Sequence, residues 1–98
     1  MTSDAPVIRG QSLGSPYPSV MHPIAEASFN SLDYGTQTAV DHVLNRLEWT
    51  PLPDDARDVM DDGETYHAVR CDDVWIIYAI DDAAGQLYVW RVSRRPPG

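Results

Sequence analysis

The sequence contains no lysine, only one cysteine and no long apolar run. A single cysteine, Cys71, cannot form a disulfide within the chain, and this fits a reducing compartment. No stretch approaches the ~20 consecutive apolar residues of a membrane span. The N-terminal residues also lack the basic region and apolar stretch of a signal peptide. These absences predict a soluble cytoplasmic protein that does not bind a membrane.

Positive charge is scarce as well. The seven basic residues are all arginine and are outnumbered by fifteen acidic ones, so the net charge is −8. An acidic protein is repelled by nucleic acid at long range, which disfavours a general nucleic-acid-binding role. Acidic residues crowd the segment 54–64, whereas Arg91, Arg94 and Arg95 lie close together near the end. These arginines either bind phosphate, are solvated, or pair with the acidic segment.

Motifs for metals and cofactors are missing too. His67, Cys71 and Asp72 are close in sequence, but alternation along a strand would point them in different directions. No second pair of metal ligands accompanies them. The sequence has no Gly-rich phosphate loop and no nucleophile-elbow motif. We therefore expect neither a metal nor a cofactor.

What is present is a stretch, 66–92, with three runs rich in β-branched and aromatic residues. Short segments rich in Asp separate the runs, which predicts a three-stranded antiparallel meander. A two-residue loop at 72–73 would place Arg70 opposite Trp75. By the same reasoning, a four-residue loop at 82–85 would pair the second and third strands through these opposite residues: Ile80 with Leu87, Tyr78 with Val89, Ile77 with Trp90, and Trp75 with Val92.

Because side chains alternate across a strand, this register sorts the meander into two faces. One is an apolar core face with His67 and Arg91 at its margins, and it consists of Val69, Val74, Ile76, Tyr78, Ile80, Leu87 and Val89. The other is a strip of aromatic residues with an arginine among them, and it consists of Tyr66, Ala68, Arg70, Trp75, Ile77, Ala79, Tyr88, Trp90 and Val92. A sheet covered on one side normally has a polar second face, so an aromatic one needs a cover or a partner.

Five segments precede the meander. They are a disordered or loosely ordered tail at 1–18, a short edge strand at 19–22, a helix from Pro23 that ends at 33–35, a helix from a Thr36 cap to Trp49, and an acidic loop at 54–64 with room for one helical turn. Residues 96–98 form a second tail. The expected fold is one α+β domain at 19–95, with a helical hairpin packed on one face of a small antiparallel sheet.

The order of these elements resembles the RelE/ParE superfamily of bacterial toxins. The resemblance rests on the run Val-Arg-Cys-Asp-Asp-Val-Trp-Ile-Ile-Tyr-Ala-Ile-Asp at 69–81 and on Val-Trp-Arg-Val-Ser-Arg-Arg at 89–95. It covers about residues 20 to 95. Toxins of the ribosome-dependent nuclease branch cut messenger RNA without a metal, using basic residues on the open face of the sheet to stabilise the charge that develops on phosphate.

The resemblance implies a toxin-like component of a toxin–antitoxin system, with an antitoxin-like partner or a homodimer and with the ribosome and messenger RNA as targets. Arg70 matches the first arginine of the family pattern and Arg95 the terminal one, so both are candidate catalytic residues. Arg94 stands where histidine is frequent. Trp75 replaces the second arginine, His67 alone remains of the basic approach strand, and the C-terminal tyrosine segment is absent. The resemblance therefore implies a degenerate RNase (mRNA interferase) site, and the gyrase-poisoning branch does not rely on the lost residues.

An interaction module without catalysis is the alternative function. The candidate binding residues are Tyr66, His67, Trp75, Tyr88, Trp90 and Arg94. Arginine and aromatic side chains together dominate protein-interaction hot spots, and they also stack on bases. Against both functional interpretations stands a purely structural one, in which the N-terminal tail or a second copy of the chain covers the aromatic strip.

Overall fold

The computed structural model describes residues 6–97 of the chain. Its elements follow in the order β1 (Ser19–Met21), α1 (Pro23–Asn30), α2 (Tyr34–Trp49), β2 (Arg57–Asp61), β3 (Glu64–Cys71), β4 (Val74–Asp81) and β5 (Gln86–Ser93). The strands form one five-stranded sheet in the order β1-β5-β4-β3-β2. Strand β1 runs parallel to β5, and the other neighbours are antiparallel. The predicted α+β fold is confirmed.

Each helix begins with a side-chain cap. The His22 Nδ1 atom accepts a hydrogen bond of 3.1 Å from the Ile24 amide, and Pro23 fills the first helical position. At α2, Asp33 accepts from both the amide and the hydroxyl of Thr36, at 3.1 and 2.7 Å. Asp33, not Thr36, is thus the cap of this helix, and α2 begins three residues earlier than a Thr36 cap implies. Caps of this kind satisfy amides that have no partner within the helix.

The core lies between the helices and one face of the sheet. From α2, Val40, Leu44 and Leu47 are buried, because their spacing places them on one side of the helix. They belong to one apolar cluster with the sheet residues Val69, Val74, Ile76, Tyr78, Leu87, Val89 and Val92. The predicted contact between the second helix and the meander is confirmed.

The first hairpin of the meander has the predicted register. Arg70 lies opposite Trp75 and Cys71 lies opposite Val74. The turn needs a positive φ at Asp72, where φ is 54°. Aspartate adopts this left-handed conformation more readily than most residues do, so the loop closes without glycine.

A β-bulge in the second hairpin corrects the predicted register. Tyr78 pairs with Val89 as expected, but Ile77 pairs with Arg91, which leaves Trp90 as the extra residue. The predicted pair of Ile77 with Trp90 is therefore wrong, and so is the pair of Trp75 with Val92, because Trp75 lies opposite Ser93. The shift by one residue moves Val92 into the helix-side core, where 4% of it is exposed. It moves Arg91 to the opposite face of the sheet.

Strand β2 occupies part of the segment that we expected to be a loop. Arg57 pairs with Ala68 and Asp61 pairs with Glu64, so β2 lies at the edge of the sheet beside β3. A two-residue turn joins them, with φ values of 52° at Asp62 and 78° at Gly63. Two positive φ values are typical of the type I′ turn, which matches the twist of the strands it joins. The loop prediction is wrong for 57–61.

The segment 6–18 lies along the end of α2 and the connector that follows it. The amides of Gly10, Leu13 and Tyr17 donate to the carbonyls of Leu52, Trp49 and Glu48, at 2.7–2.8 Å. Arg9 donates from its Nη1 atom to the carbonyls of Pro53 and Ala56, at 3.1 and 2.7 Å. Residues 1–5 of the predicted tail, and Gly98 of the second one, lie outside the described residues. The domain boundaries at 19 and 95 stay a prediction.

Candidate functional site

The face of the sheet that points away from the helices, here called the open face, carries its own small apolar cluster. Val59, Ala68 and Ile77 are buried there, with exposures of 7%, 0% and 2%. The rings of Tyr66, Trp75 and Trp90 pack against them and are half-buried. Neither tryptophan therefore lies beneath the helices. The structure brings these predicted binding residues together, and Tyr88 joins the same face opposite Ala79.

Tyr66 and Trp90 stack across the sheet. Their ring centroids are 5.6 Å apart and the rings are inclined by 3°. His22, at the end of β1, meets Trp90 edge-on at 4.7 Å. Burial raises the pKa of Tyr66, and the nearby carboxylate of Glu64 raises it further. The tyrosine therefore stays neutral at physiological pH, and the stacked pair presents an uncharged aromatic surface.

Asp61 lies beside this stacked pair. One of its carboxylate oxygens, Oδ2, accepts hydrogen bonds from Trp90 Nε1 at 2.9 Å and from Arg91 Nε at 2.8 Å. The Asp61 side chain is 27% exposed and the Arg91 side chain is 41% exposed. The sequence left three alternatives for Arg91, namely phosphate binding, solvation or pairing with the acidic segment. In the structure, Arg91 pairs with the acidic segment through Asp61.

A second arginine, which the sequence did not predict, contacts the aromatic strip. Arg57 of β2 places its guanidinium carbon 5.3 Å from the centre of the Trp75 ring, within the range of a cation–π interaction. Arg70 is exposed, and its Nε atom donates to the carbonyl of Asp72 at 2.9 Å. The head group of Arg70 is therefore held at the β3–β4 turn.

Arg94 and Arg95 follow β5 and have different surroundings. Arg94 is bound by Asp73 in the β3–β4 turn and lies 3.9 Å from Asp33, the cap of α2. Arg95 makes no salt bridge with any described residue. It lines a cleft of about 320 Å³ beside the end of α1 and a second cleft of about 170 Å³ on the open face. Of Arg94 and Arg95, Arg95 is the one whose charge is available to bind a ligand.

His67 lies on the opposite face from the aromatic rings. It is paired with Tyr78 across the strands, and its Nδ1 atom lies 3.0 Å from the Asp58 carboxylate. The structure thus separates His67 from the other candidate binding residues. Cys71 is buried in the helix-side core, and burial raises the pKa of its thiol. A buried, protonated thiol is a poor nucleophile.

Three residues of this surface were missed from the sequence, namely His22, Arg57 and Asp61, whereas Arg91 was considered but was assigned to the opposite face. Two of them lie on β2, which the sequence analysis left as a loop. The dipeptide Asp62-Gly63 was the available signal, because Asp-Gly between strand-like segments is a strong mark of a hairpin. Recognising it would have placed Arg57 and Asp61 beside the aromatic strip.

Between residues 6 and 97, no group of three or more His, Cys, Asp or Glu side chains has the arrangement of a metal site. Neither helix within that range has the length and apolar character needed to cross a membrane.

Comparison with solved structures identifies the fold. A chain of the toxin–antitoxin complex RelBE2 from Mycobacterium tuberculosis matches with a TM-score of 0.74 and 20% sequence identity, over 87% of this chain and 98% of that one. A chain of the archaeal RelE–RelB complex from Pyrococcus horikoshii matches with a TM-score of 0.68 and 17% identity, over 80% of this chain and 93% of that one. The chain has the RelE fold.

The resemblance inferred from the sequence is thus confirmed at the level of the fold. No protein-family profile matches the sequence, and no curated protein matches it significantly. The functional roles of Arg70, Arg95 and the six candidate binding residues stay predictions.

Proposed function

We propose that this protein is the toxin-like component of a RelE-type toxin–antitoxin system and that its partner is an antitoxin-like protein. The observation that carries the proposal is the extent of the structural likeness. It spans 98% and 93% of the chains from two toxin–antitoxin complexes, at TM-scores of 0.74 and 0.68. A match over nearly a whole chain indicates the same architecture and not a shared motif. The cytoplasm, which holds ribosomes and messenger RNA, is the compartment of this activity.

Its RNase site is degenerate. Cutting RNA without a metal requires cations next to the phosphate whose charge grows in the transition state. Arg91 and Arg94 are each bound by a carboxylate, so their charge is partly neutralised before any RNA arrives. Arg70 and Arg95 form no salt bridge with any residue between 6 and 97, and they are the proposed catalytic cations. The family pattern has more than two cations at this site. A site with Arg70 and Arg95 as its cations should therefore have weak activity.

Expression in a bacterial host without an antitoxin tests this function. Growth should slow, and Arg95→Ala should relieve the arrest. Arg46→Ala is the matched control, because Arg46 is an exposed arginine of α2 whose ion pair with Asp55, at 3.8 Å, is remote from the open face. Cutting of messenger RNA on isolated ribosomes should follow the same order among the variants. Unimpaired growth together with the absence of ribosomal cutting would refute the nuclease activity.

A non-catalytic interaction module is the second candidate function. It is favoured by the composition of the open face, where the half-buried rings of Trp75 and Trp90 pack on an apolar cluster and Trp90 also donates to the Asp61 carboxylate. Either an antitoxin-like protein or a second copy of the chain would cover these rings. Light scattering at increasing protein concentration shows whether a second copy binds. If the rings form the contact of such a dimer, Trp75→Ala should abolish it. A chain that stays monomeric at all concentrations excludes the homodimer.

A further inference from the structure

Two hydrogen-bond donors on the open face converge on a single oxygen atom. Trp90 Nε1 and Arg91 Nε both donate to Asp61 Oδ2, at 2.9 and 2.8 Å. Converging donors, one of them charged, are the arrangement that binds carboxylates and phosphates in proteins. Here the anion is a side chain of the same protein. The open face therefore contains an anion-binding site that the Asp61 carboxylate already occupies.

The β-bulge creates this site. Consecutive residues of a regular strand point to opposite faces, so Trp90 and Arg91 would not normally reach the same acceptor. The extra residue in β5 removes that alternation and directs both side chains to the open face. Asp61 lies at the end of β2, just before the turn at 62–63, and its carboxylate reaches both side chains.

A cleft adjoins the filled site. Asp61, Arg91 and Arg95 line it together with Ile77, Ser93, Pro96 and Pro97, and its volume is about 170 Å³. This volume is the share of several water molecules in the liquid, which is enough for a phosphate group. Arg95 contributes a second cation that pairs with no carboxylate among residues 6–97. Two arginines beside one another suit the several oxygens of a phosphodiester.

We propose that Trp90, Arg91 and Arg95 form a binding subsite for an RNA phosphodiester, and that Asp61 is its internal competitor. The subsite rests on the proposed toxin-like function and explains the weakness of its RNase site. A phosphate can bind only after it displaces the Asp61 carboxylate from Arg91. An attached competitor acts at a high effective concentration, so even weak binding by Asp61 suppresses the affinity for an external anion. The tyrosine and tryptophan rings nearby offer faces on which bases stack.

Two isosteric variants of the full-length protein test this role. Asp61→Asn removes the negative charge of the internal carboxylate from the subsite, whereas Asp62→Asn makes the same change in net charge one residue away. Asn is a suitable replacement at Asp62, since it tolerates the φ of 52° found there. The probe is a fluorescent single-stranded RNA of ten nucleotides, and its anisotropy reports binding at several salt concentrations. Thermal unfolding of each variant confirms that it is folded.

Asp61→Asn should bind the RNA about fivefold more tightly than the unchanged protein, the size expected for exchange of one partly exposed charge pair. Asp62→Asn should change the affinity by less than about twofold, because its charge acts through solvent. The slope of log K against log salt should steepen by roughly 0.7 in Asp61→Asn alone, which corresponds to one further phosphate contact. Adding Arg91→Gln to Asp61→Asn should remove the gain.

Equal gains in the two single variants would overturn the proposal, and so would a gain that survives Arg91→Gln. If Asp61→Asn tightens binding of a polyglutamate peptide but not of the RNA, the subsite is one for carboxylates and the RNA assignment is wrong. Should Asp61→Asn fail to fold, Asp61→Ala is measured in its place. Growth arrest that Arg95→Ala relieves, combined with unchanged RNA binding by the Asp61 variants, would refute this inference and leave the toxin-like function standing.

Discussion

The hydroxyl group of Tyr78 donates a hydrogen bond of 2.6 Å to the carbonyl oxygen of Pro51. Tyr78 lies on β4 in the centre of the sheet, and both residues are fully buried. The bond therefore joins the connector after α2 to the middle of the core. If a buried carbonyl loses its hydrogen-bond donor, the free-energy cost of removing that carbonyl from water is no longer offset.

Tyr78→Phe should lower the free energy of unfolding by about 1–3 kcal/mol, because it leaves the Pro51 carbonyl without this partner and changes little else. Urea denaturation measures the loss. Tyr34→Phe is the control, since Tyr34 is 84% exposed and its hydroxyl makes no buried contact. A loss no larger than that of the control would show that the bond adds nothing to stability.

The same tyrosine predicts a loss of stability in alkali. Burial raises the pKa of Tyr78 above its ordinary value of 10.0, and the nearby carboxylate of Asp55 adds to the effect. The folded protein thus holds the phenolic proton more tightly than the unfolded chain does. Stability from this group is fully present below about pH 10 and falls as the pH rises further towards the folded-state pKa. The slope of unfolding free energy against pH, measured between about pH 9 and 11, should be smaller in Tyr78→Phe. Identical slopes would contradict this account.

Ile76 and Trp75 are neighbours in sequence on opposite faces of β4. Ile76 is fully buried in the core beneath the helices, whereas Trp75 is half-buried on the open face. Ile76→Ala should cost on the order of 2–5 kcal/mol, because it leaves a cavity in a packed core. Trp75→Ala should cost roughly 1 kcal/mol, the central value for point substitutions. Urea denaturation of both variants gives the comparison. If Trp75→Ala proves as costly as Ile76→Ala, the open face is part of the core and the binding surface must be abandoned.

Arg9 anchors the N-terminal segment. Its guanidinium donates to the carbonyls of Pro53 and Ala56 and lies 3.9 Å from the Asp58 carboxylate. The side chain is 42% exposed, so solvent weakens these contacts. Arg9→Ala should therefore cost only about 1 kcal/mol. Its clearer effect should be faster amide exchange at Gly10 and Leu13, measured by hydrogen–deuterium exchange. Arg46→Ala should leave both rates unchanged, and unchanged rates in Arg9→Ala would refute the anchoring role.

The first hairpin of the meander and the bulge show what the sequence could and could not predict. A two-residue turn and strict alternation were enough to place Arg70 opposite Trp75. In the last strand, Val89 and Val92 both point to the helix-side core although they are three residues apart. Strict alternation cannot explain that spacing, and an extra residue between them does. The regular pattern in the rest of the meander concealed this departure.

The edge strand β2 was missed because its composition is unfavourable. Aspartate is depleted in strands, and 57–61 contains two of them. An edge strand tolerates such residues since one of its sides meets solvent, and charge there discourages pairing with other chains. Tertiary contact with β3 decided the outcome, and local propensity did not.

The destinations of the charged side chains could not have been read from the sequence. Pattern placed Arg70 within the aromatic strip, but a carbonyl at the β3–β4 turn holds its Nε atom. Long, flexible side chains choose among partners that only the folded chain brings within reach. Pairing of Arg91 with the acidic segment was one of the alternatives, but the choice of Asp61 as its partner depends on the bulge and on β2, neither of which was predicted.

The parallel pairing of β1 with β5 determines when the sheet can be completed during synthesis, because it joins the first strand to the last. Ser19 lies opposite Leu87 and Met21 lies opposite Val89. During translation, the nascent chain must carry an unpaired first strand until elongation has passed Val89. Contacts between such distant segments form late, because the intervening loop must close before they are gained. His22, which follows β1, reaches Trp90 only at that stage. A partner that recognises the completed surface therefore has no binding site until both strands are available to pair.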